Sequence, residues 1–211
     1  FIMRTTWKPF NNKTKPLTFL FSLTFLFLVS SSVYAQETVK KKYYDNGKLK
    51  RETHFKNGKR DGLDTWFYET GEKMFEVHVK NGKAEGLRTT WFESGKKKTE
   101  TQLKNGEKDG LEIEWSEKGI KRSETRYKDG KLNGLMTLWH PNGMKFNEIP
   151  YKDGKYDGRM TTWFKDGKKY REQDYKDGKL DGLFTEWSKY GNIDFQKNFK
   201  DGKPDGVYAT W

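Results

Sequence analysis

Six glutamates recur every 24 residues, Glu52, Glu76, Glu100, Glu124, Glu148 and Glu172, with Gln196 in the seventh place. Paired carboxylates do the acid–base work of glycoside hydrolases, so their spacing decides whether that chemistry is open. If each 24-residue unit adds two strands to a sheet, neighbouring members stand about 10 Å apart, slightly beyond even the inverting separation. The row also alternates away from an apolar or aromatic slot three places later: Phe55, Val79, Leu103, Tyr127, Tyr151, Tyr175 and Phe199. It is therefore expected to face solvent and to pair with lysines such as Lys80 and Lys104 across strands. His54 and His78 are likewise 24 apart, too far to share one metal ion whose ligands sit about 2 Å away. His140 stands alone in a turn. The chain has no cysteine, which excludes disulfides, thiol catalysis and cysteine-ligated metals. No catalytic residue, metal ligand or cofactor is expected, and the protein is read as a non-enzyme.

Two other rows could bind. Lys56, Lys80, Lys104, Lys128, Lys152, Lys176 and Lys200 fill one slot in every unit, and Lys59, Lys83, Lys131, Lys155, Lys179 and Lys203 fill a second, where Glu107 is the exception. Both fall in one turn, so they should line one long edge. Lysines there blunt a sheet edge against aggregation, or offer a basic strip to anionic lipid or glycan. Asp61, Glu85, Asp109, Asp157, Asp181 and Asp205 share those turns and dilute the field, which argues against nucleic acid. The aromatic row is Trp91, Trp115, Trp139, Trp163, Trp187 and Trp211, joined by Tyr127, Tyr151 and Tyr175. It is either a packed spine or an open platform for sugars or peptides. The spine is favoured because the Leu, Thr and Tyr slots are expected to share its face.

The elements that position these rows follow from glycine. All 21 glycines lie on a 24-residue lattice, one set from Gly47 to Gly191, one from Gly58 to Gly202 and one from Gly62 to Gly206. Residues 44–211 divide into seven units without insertion: 44–67, 68–91, 92–115, 116–139, 140–163, 164–187 and 188–211. Such self-similarity is the signature of a repeat array whose units pack mainly on their neighbours. After the third glycine the chain alternates, as in Leu87-x-Thr89-x-Trp91, which predicts a short strand. The Asn-Gly or Asp-Gly of the second turn tolerates the positive φ of a tight hairpin. Each unit thus supplies two strands and two turns. The expected fold is all-β, an elongated single-sheet antiparallel ribbon of about fourteen strands.

The run Tyr-x-[Asn/Asp]-Gly-Lys-x-[Asp/Asn]-Gly-Leu-x-x-x-Trp resembles the MORN repeat, in the bacterial variant found in proteins labelled YwqK-family antitoxins. The resemblance covers residues 44–211. It departs at Trp66, which comes one place early with Phe67 in the Trp slot, and at Arg159 in place of Leu. It implies a β-ribbon with a binding or scaffolding role and supplies no catalytic residues.

Residues 1–35 read as a secretory signal: a basic start with Lys8, Lys13 and Lys15, the apolar run Leu17 to Val29, then Val33 and Ala35 at a small-residue cleavage site. That run is short for a membrane span, so none is expected after cleavage. Residues 36–43 are read as a linker. Loss of the leader lowers the formal net charge from +12 to +8. Composition with 32% hydrophobic, 34% charged and 16% aromatic residues suits a thin stack and not a thick core. The expectation is an exported, periplasmic, cell-surface or extracellular bacterial protein. It would hold a protein partner, such as a cognate toxin, or alternatively an anionic envelope surface.

Overall fold

The computed structural model describes residues 36–206 and 208–210. The leader assigned to 1–35 and the terminal Trp211 lie outside the described residues. The described part is a single open antiparallel sheet in hairpin order, each strand pairing with those before and after it in the chain. It begins at β1 (Glu37–Tyr43), which pairs with β2 (Leu49–Lys56), and β2 pairs with β3 (Lys59–Phe67). The stretch 36–43 is therefore not a linker but an edge strand, whose Val39, Lys41 and Tyr43 fall in the Leu, Thr and Trp slots of a further unit. The strand segments number 18 because, beyond this extra strand, the second strand is split near its glycine in three units. Lys131–Leu132 precedes Gly134–Trp139, Lys155–Tyr156 precedes Gly158–Trp163, and Lys203–Pro204 precedes Ala209–Thr210.

Two turns alternate along the array. The second is a two-residue hairpin closed by Lys56 opposite Lys59, with φ of 50° at Asn57 and 75° at Gly58. Positive φ at both central residues is the type I′ turn that Asn-Gly and Asp-Gly favour, and it recurs seven times, ending at Asp201–Gly202. In the first turn, Tyr44 N–H donates to the Lys48 carbonyl and Gly47 N–H to the Tyr44 carbonyl, both at 2.9 Å. Glycine's left-handed conformation makes this the bulged three-residue loop.

A bulge follows each first turn. Trp66 pairs with Phe75 but Phe67 pairs with Lys73, leaving Met74 as the extra residue. Lys98, Arg122, Phe146 and Tyr170 take the same place in later units. Because a bulge reverses the alternation of side chains, Lys73 and Glu76 share a face although they are three residues apart.

Neighbouring units are tied at both ends of the strands. At the hairpin tips, Gly82 N–H donates to the Arg60 carbonyl at 2.8 Å, and the contact repeats up to Gly202 and Leu180. Asp61, Glu85, Asp109, Asp157 and Asp181 each accept the backbone N–H of the next tip, the closest being Asn105 N to Glu85 at 2.8 Å. At the other end, the hydroxyls of Tyr44 and Tyr68 donate to the carbonyls of Phe67 and Trp91 at 2.7 and 2.9 Å. With no second layer among the described residues, burial comes from side chains lying over one another along the sheet. Val77, Val79 and Leu103 form a small core with Phe75 and Ala84, and Thr101 is fully buried.

Candidate functional site

Cross-strand register divides the sequence rows between two faces. On one, glutamate and threonine alternate in direct opposition: Glu52, Thr65, Glu76, Thr89, Glu100, then Ile113, Glu124 and Thr137, and onward to Gln196. The Leu-x-Thr-x-Trp strands place Leu and Trp on this same regular face. Glutamate does pair with lysine, but Lys80 and Lys104 are not the partners. Those are Lys73, Lys97, Lys121, Lys145 and Lys169, brought round by the bulge, with Lys121 Nζ at 2.8 Å from Glu124. The carboxylates are half-buried and not free in solvent. Glu52 is served instead by Lys41, whose hydrogen bond lowers the Glu52 carboxyl below its usual range.

The same lysines cover tryptophan. Lys73, Lys121, Lys145 and Lys169 place Nζ 5.1–5.8 Å from the ring centres of Trp91, Trp139, Trp163 and Trp187. These tryptophans are half-buried rungs of a Glu–Lys–Trp lattice. Arg159, the departure from Leu, stands opposite Asp174 and donates to both its oxygens at 2.7 and 3.0 Å. That hydrogen bond lowers the Asp174 carboxyl below its usual range.

Tyr127, Tyr151 and Tyr175 do not join the tryptophans. Each lies three residues after a glutamate of the regular face, so strand alternation puts it on the opposite one. There Tyr156 bridges Tyr151 and Tyr175 with ring centres 5.1 and 5.2 Å apart. Burial, then a hydrogen bond with Tyr156, pushes the Tyr151 hydroxyl up to about 12. The expected common aromatic face is thus two faces, because three is an odd number of strand steps.

This second face varies from unit to unit. One of its slots reads Asp64, Arg88, Glu112, Met136, Met160, Phe184 and Tyr208. Arg51 holds buried Asp64 through two hydrogen bonds of 2.9 and 2.6 Å, and Thr53 Oγ1 adds a third. Buried Glu112 accepts from Lys108 at 2.7 Å and Thr101 at 2.9 Å. Two hollows adjoin on the first-turn side. One of about 370 Å³ is lined by Tyr68, Met74, Phe75, Arg88, Thr90, Trp91 and Lys98. The next, of about 460 Å³, shares Lys98 and adds Phe92, Glu114, Trp115, Arg122, Leu138, Trp139 and Phe146 among others.

The lysine edge is as exposed as the sequence implies, from Lys56 through Lys200. Its lysines oppose each other directly, as Lys128 does Lys131 and Lys176 does Lys179, an arrangement that repels. The interleaved carboxylates offset this while they cap the next turn. His54 lies 3.3 Å from Glu52, and His140 Nε2 is 3.2 Å from the Trp163 carbonyl oxygen, the place taken elsewhere by a tyrosine hydroxyl. Among the described residues no group of three or more His, Asp or Glu could hold a metal ion, and no helix is long and apolar enough to cross a membrane.

Units stacked by strand pairing, four of the seven carrying a Gly-Lys-x-Asp-Gly tip and the others varying it at Glu85, Glu107 and Asn133, match the family model described as MORN repeat variant at residues 36–57, 84–105, 132–153 and 156–177. The chain is a MORN-repeat protein. No curated protein matches it. The matched MORN unit begins with a strand before the first turn, so its first copy starts at residue 36 and takes in β1.

Sequence reasoning missed the varied face, the bulge that turns Lys73 towards Glu76, and the turn-capping role of Asp61 and its equivalents. The last had a visible signal, a carboxylate recurring every 24 residues beside a tight turn.

Proposed function

We propose that this MORN-repeat protein is an exported, non-enzymatic scaffold that binds a protein partner along the varied face. The observation that carries this reading is the division of labour between faces. The regular face repeats one Glu–Lys–Trp–Thr lattice, whereas the varied face changes chemistry along the array, carries most of the stacked rings and, together with the tryptophans at the first-turn end of the strands, lines the grooves. A surface that differs from unit to unit can hold one partner in one register; a uniform surface cannot. Binding without catalysis is supported by the regular-face glutamates Glu76, Glu100, Glu124, Glu148 and Glu172, each tied to a lysine. Export rests on the leader-like residues 1–35. An antitoxin-type role would make the partner a toxin acting outside the cytoplasm.

The test is capture of partners from the native envelope with the wild-type protein and with a Lys98→Ala/Arg122→Ala variant on the varied face. A partner retained by the first and lost by the second is expected. Equal retention by both sinks the assignment of the face. Binding to anionic lipid or glycan through the lysine edge is less well supported, because carboxylates stand between its lysines.

A further inference from the structure

Deepening that reading and resting on it, we infer that the groove across the second to fifth units takes an extended polyproline-II segment with two acidic residues three apart. Three cations line the two adjoining hollows, Arg88, Lys98 and Arg122. Among the described residues none of them forms an ion pair, although most regular-face lysines do. Arg88 Nε is shielded from solvent and has no acceptor. The carboxylate in the groove, Glu114, is engaged by the Ser123 hydroxyl at 3.0 Å. With three cations against one carboxylate, the groove carries a net positive charge between the rings of Phe75, Phe92, Trp115 and Phe146, and Lys98 Nζ lies 5.6 Å from the centre of the Phe92 ring. Anionic groups flanked by apolar ones complement it.

The period selects the conformation. Lys98 and Arg122 are the extra residues of successive bulges, hence two strand spacings apart, about 9.6 Å. A polyproline-II chain rises about 3.1 Å per residue with three residues per turn, so every third side chain falls on one side about 9.3 Å apart. The mismatch is about 0.3 Å per unit, small over the few units of the groove. Aromatic-lined grooves are a recurrent docking surface for this helix, whose order before binding lowers the entropic cost. The bulge slots read Met74, Lys98, Arg122 and Phe146 in turn. They call for apolar, acidic, acidic and apolar side chains at every third position. A fully extended β peptide repeats its side chains every two residues and cannot keep this step.

The test uses the full protein and three labelled ten-residue peptides, followed by fluorescence anisotropy. LPPEPPEPPL carries the required spacing, LPPPEEPPPL has the same composition with the acids adjacent, and LPPKPPKPPL reverses the charge. Wild type is expected to bind the first and to discriminate against both others. Loss of two rim charges in Lys98→Gln/Arg122→Gln should weaken the first peptide about tenfold. Lys98→Glu/Arg122→Glu should prefer the lysine peptide, a swap that mere destabilisation cannot produce. Both residues are exposed, and an unchanged melting curve guards against misfolding. Equal binding of the two glutamate peptides overturns the inference, as does binding only of polygalacturonate or anionic vesicles. If no peptide binds while Lys98→Ala/Arg122→Ala still loses its envelope partner, the inference falls and the proposed function stands. If that variant keeps the partner, the proposed function falls first.

Discussion

Two glycines four residues apart in one hairpin should fail for different reasons when alanine replaces them. Gly106 sits in the turn at φ 91°, and a Cβ added there meets nothing within 4 Å. Gly106→Ala should therefore cost only the strain of a left-handed L-residue, about 1–2 kcal/mol. Gly110 sits in the strand at φ 113°, and its Cβ would lie 2.9 Å from Gln102 Cβ and 3.0 Å from Cγ. Gly110→Ala adds overpacking to the strain, about 3–4 kcal/mol in total. Urea melts followed by tryptophan fluorescence measure both, and because a repeat array can lose its units in stages, midpoints are compared at one fixed number of repeats. Gln102→Gly in the Gly110→Ala background removes the facing Cβ and should restore roughly half the loss, corrected for the single Gln102→Gly variant. Equal shifts for Gly106→Ala and Gly110→Ala, or no coupling to position 102, would refute the close approach as the reason for the third glycine.

The remaining expectations are narrower. Glu85→Ala removes the acceptor for Asn105 N–H and should lower stability by about 1 kcal/mol in the same melt, with Glu85→Gln losing less. Changing Lys128, Lys152, Lys176 and Lys200 together to Gln should shift stability by about 0.5 kcal/mol per site or less. Wild type should show little sedimentation with anionic vesicles at about 0.15 M salt, and strong sedimentation abolished by the quadruple change would make the lysine edge the binding surface. The Tyr151 hydroxyl titrates near 12 when folded against an ordinary 10.0, so its contribution is complete below pH 10 and is lost between there and pH 12. Tyr151→Phe should flatten that part of the alkaline stability curve relative to wild type. Arg159 holds the Asp174 carboxyl below its ordinary 3.8, so the contribution of this pair is present above that pH and disappears on further acidification. Asp174→Asn should lose this acid-limb dependence.

What the sequence determined alone is what depends on local backbone chemistry repeated in register. Asn57–Gly58 and its six counterparts favour the positive φ of a tight hairpin and adopt it in every unit, so hairpins, strand count per unit and the antiparallel order were legible from residue types and spacing. The glutamate row was correctly turned away from the apolar slot because alternation is a property of the strand itself. Tertiary structure decided what depends on a broken alternation or on a neighbour one unit away. A bulge leaves no mark in composition, yet it carries Lys73 to Glu76 and Trp91, and it sets Lys98 and Arg122 in the groove. The separation of Tyr127, Tyr151 and Tyr175 from the tryptophans followed from register, which is fixed only when strands pair. The strand at 37–43 shows the same limit: ETVKKKY carries little strand pattern of its own, and it is extended because the backbone of 49–56 offers it a partner.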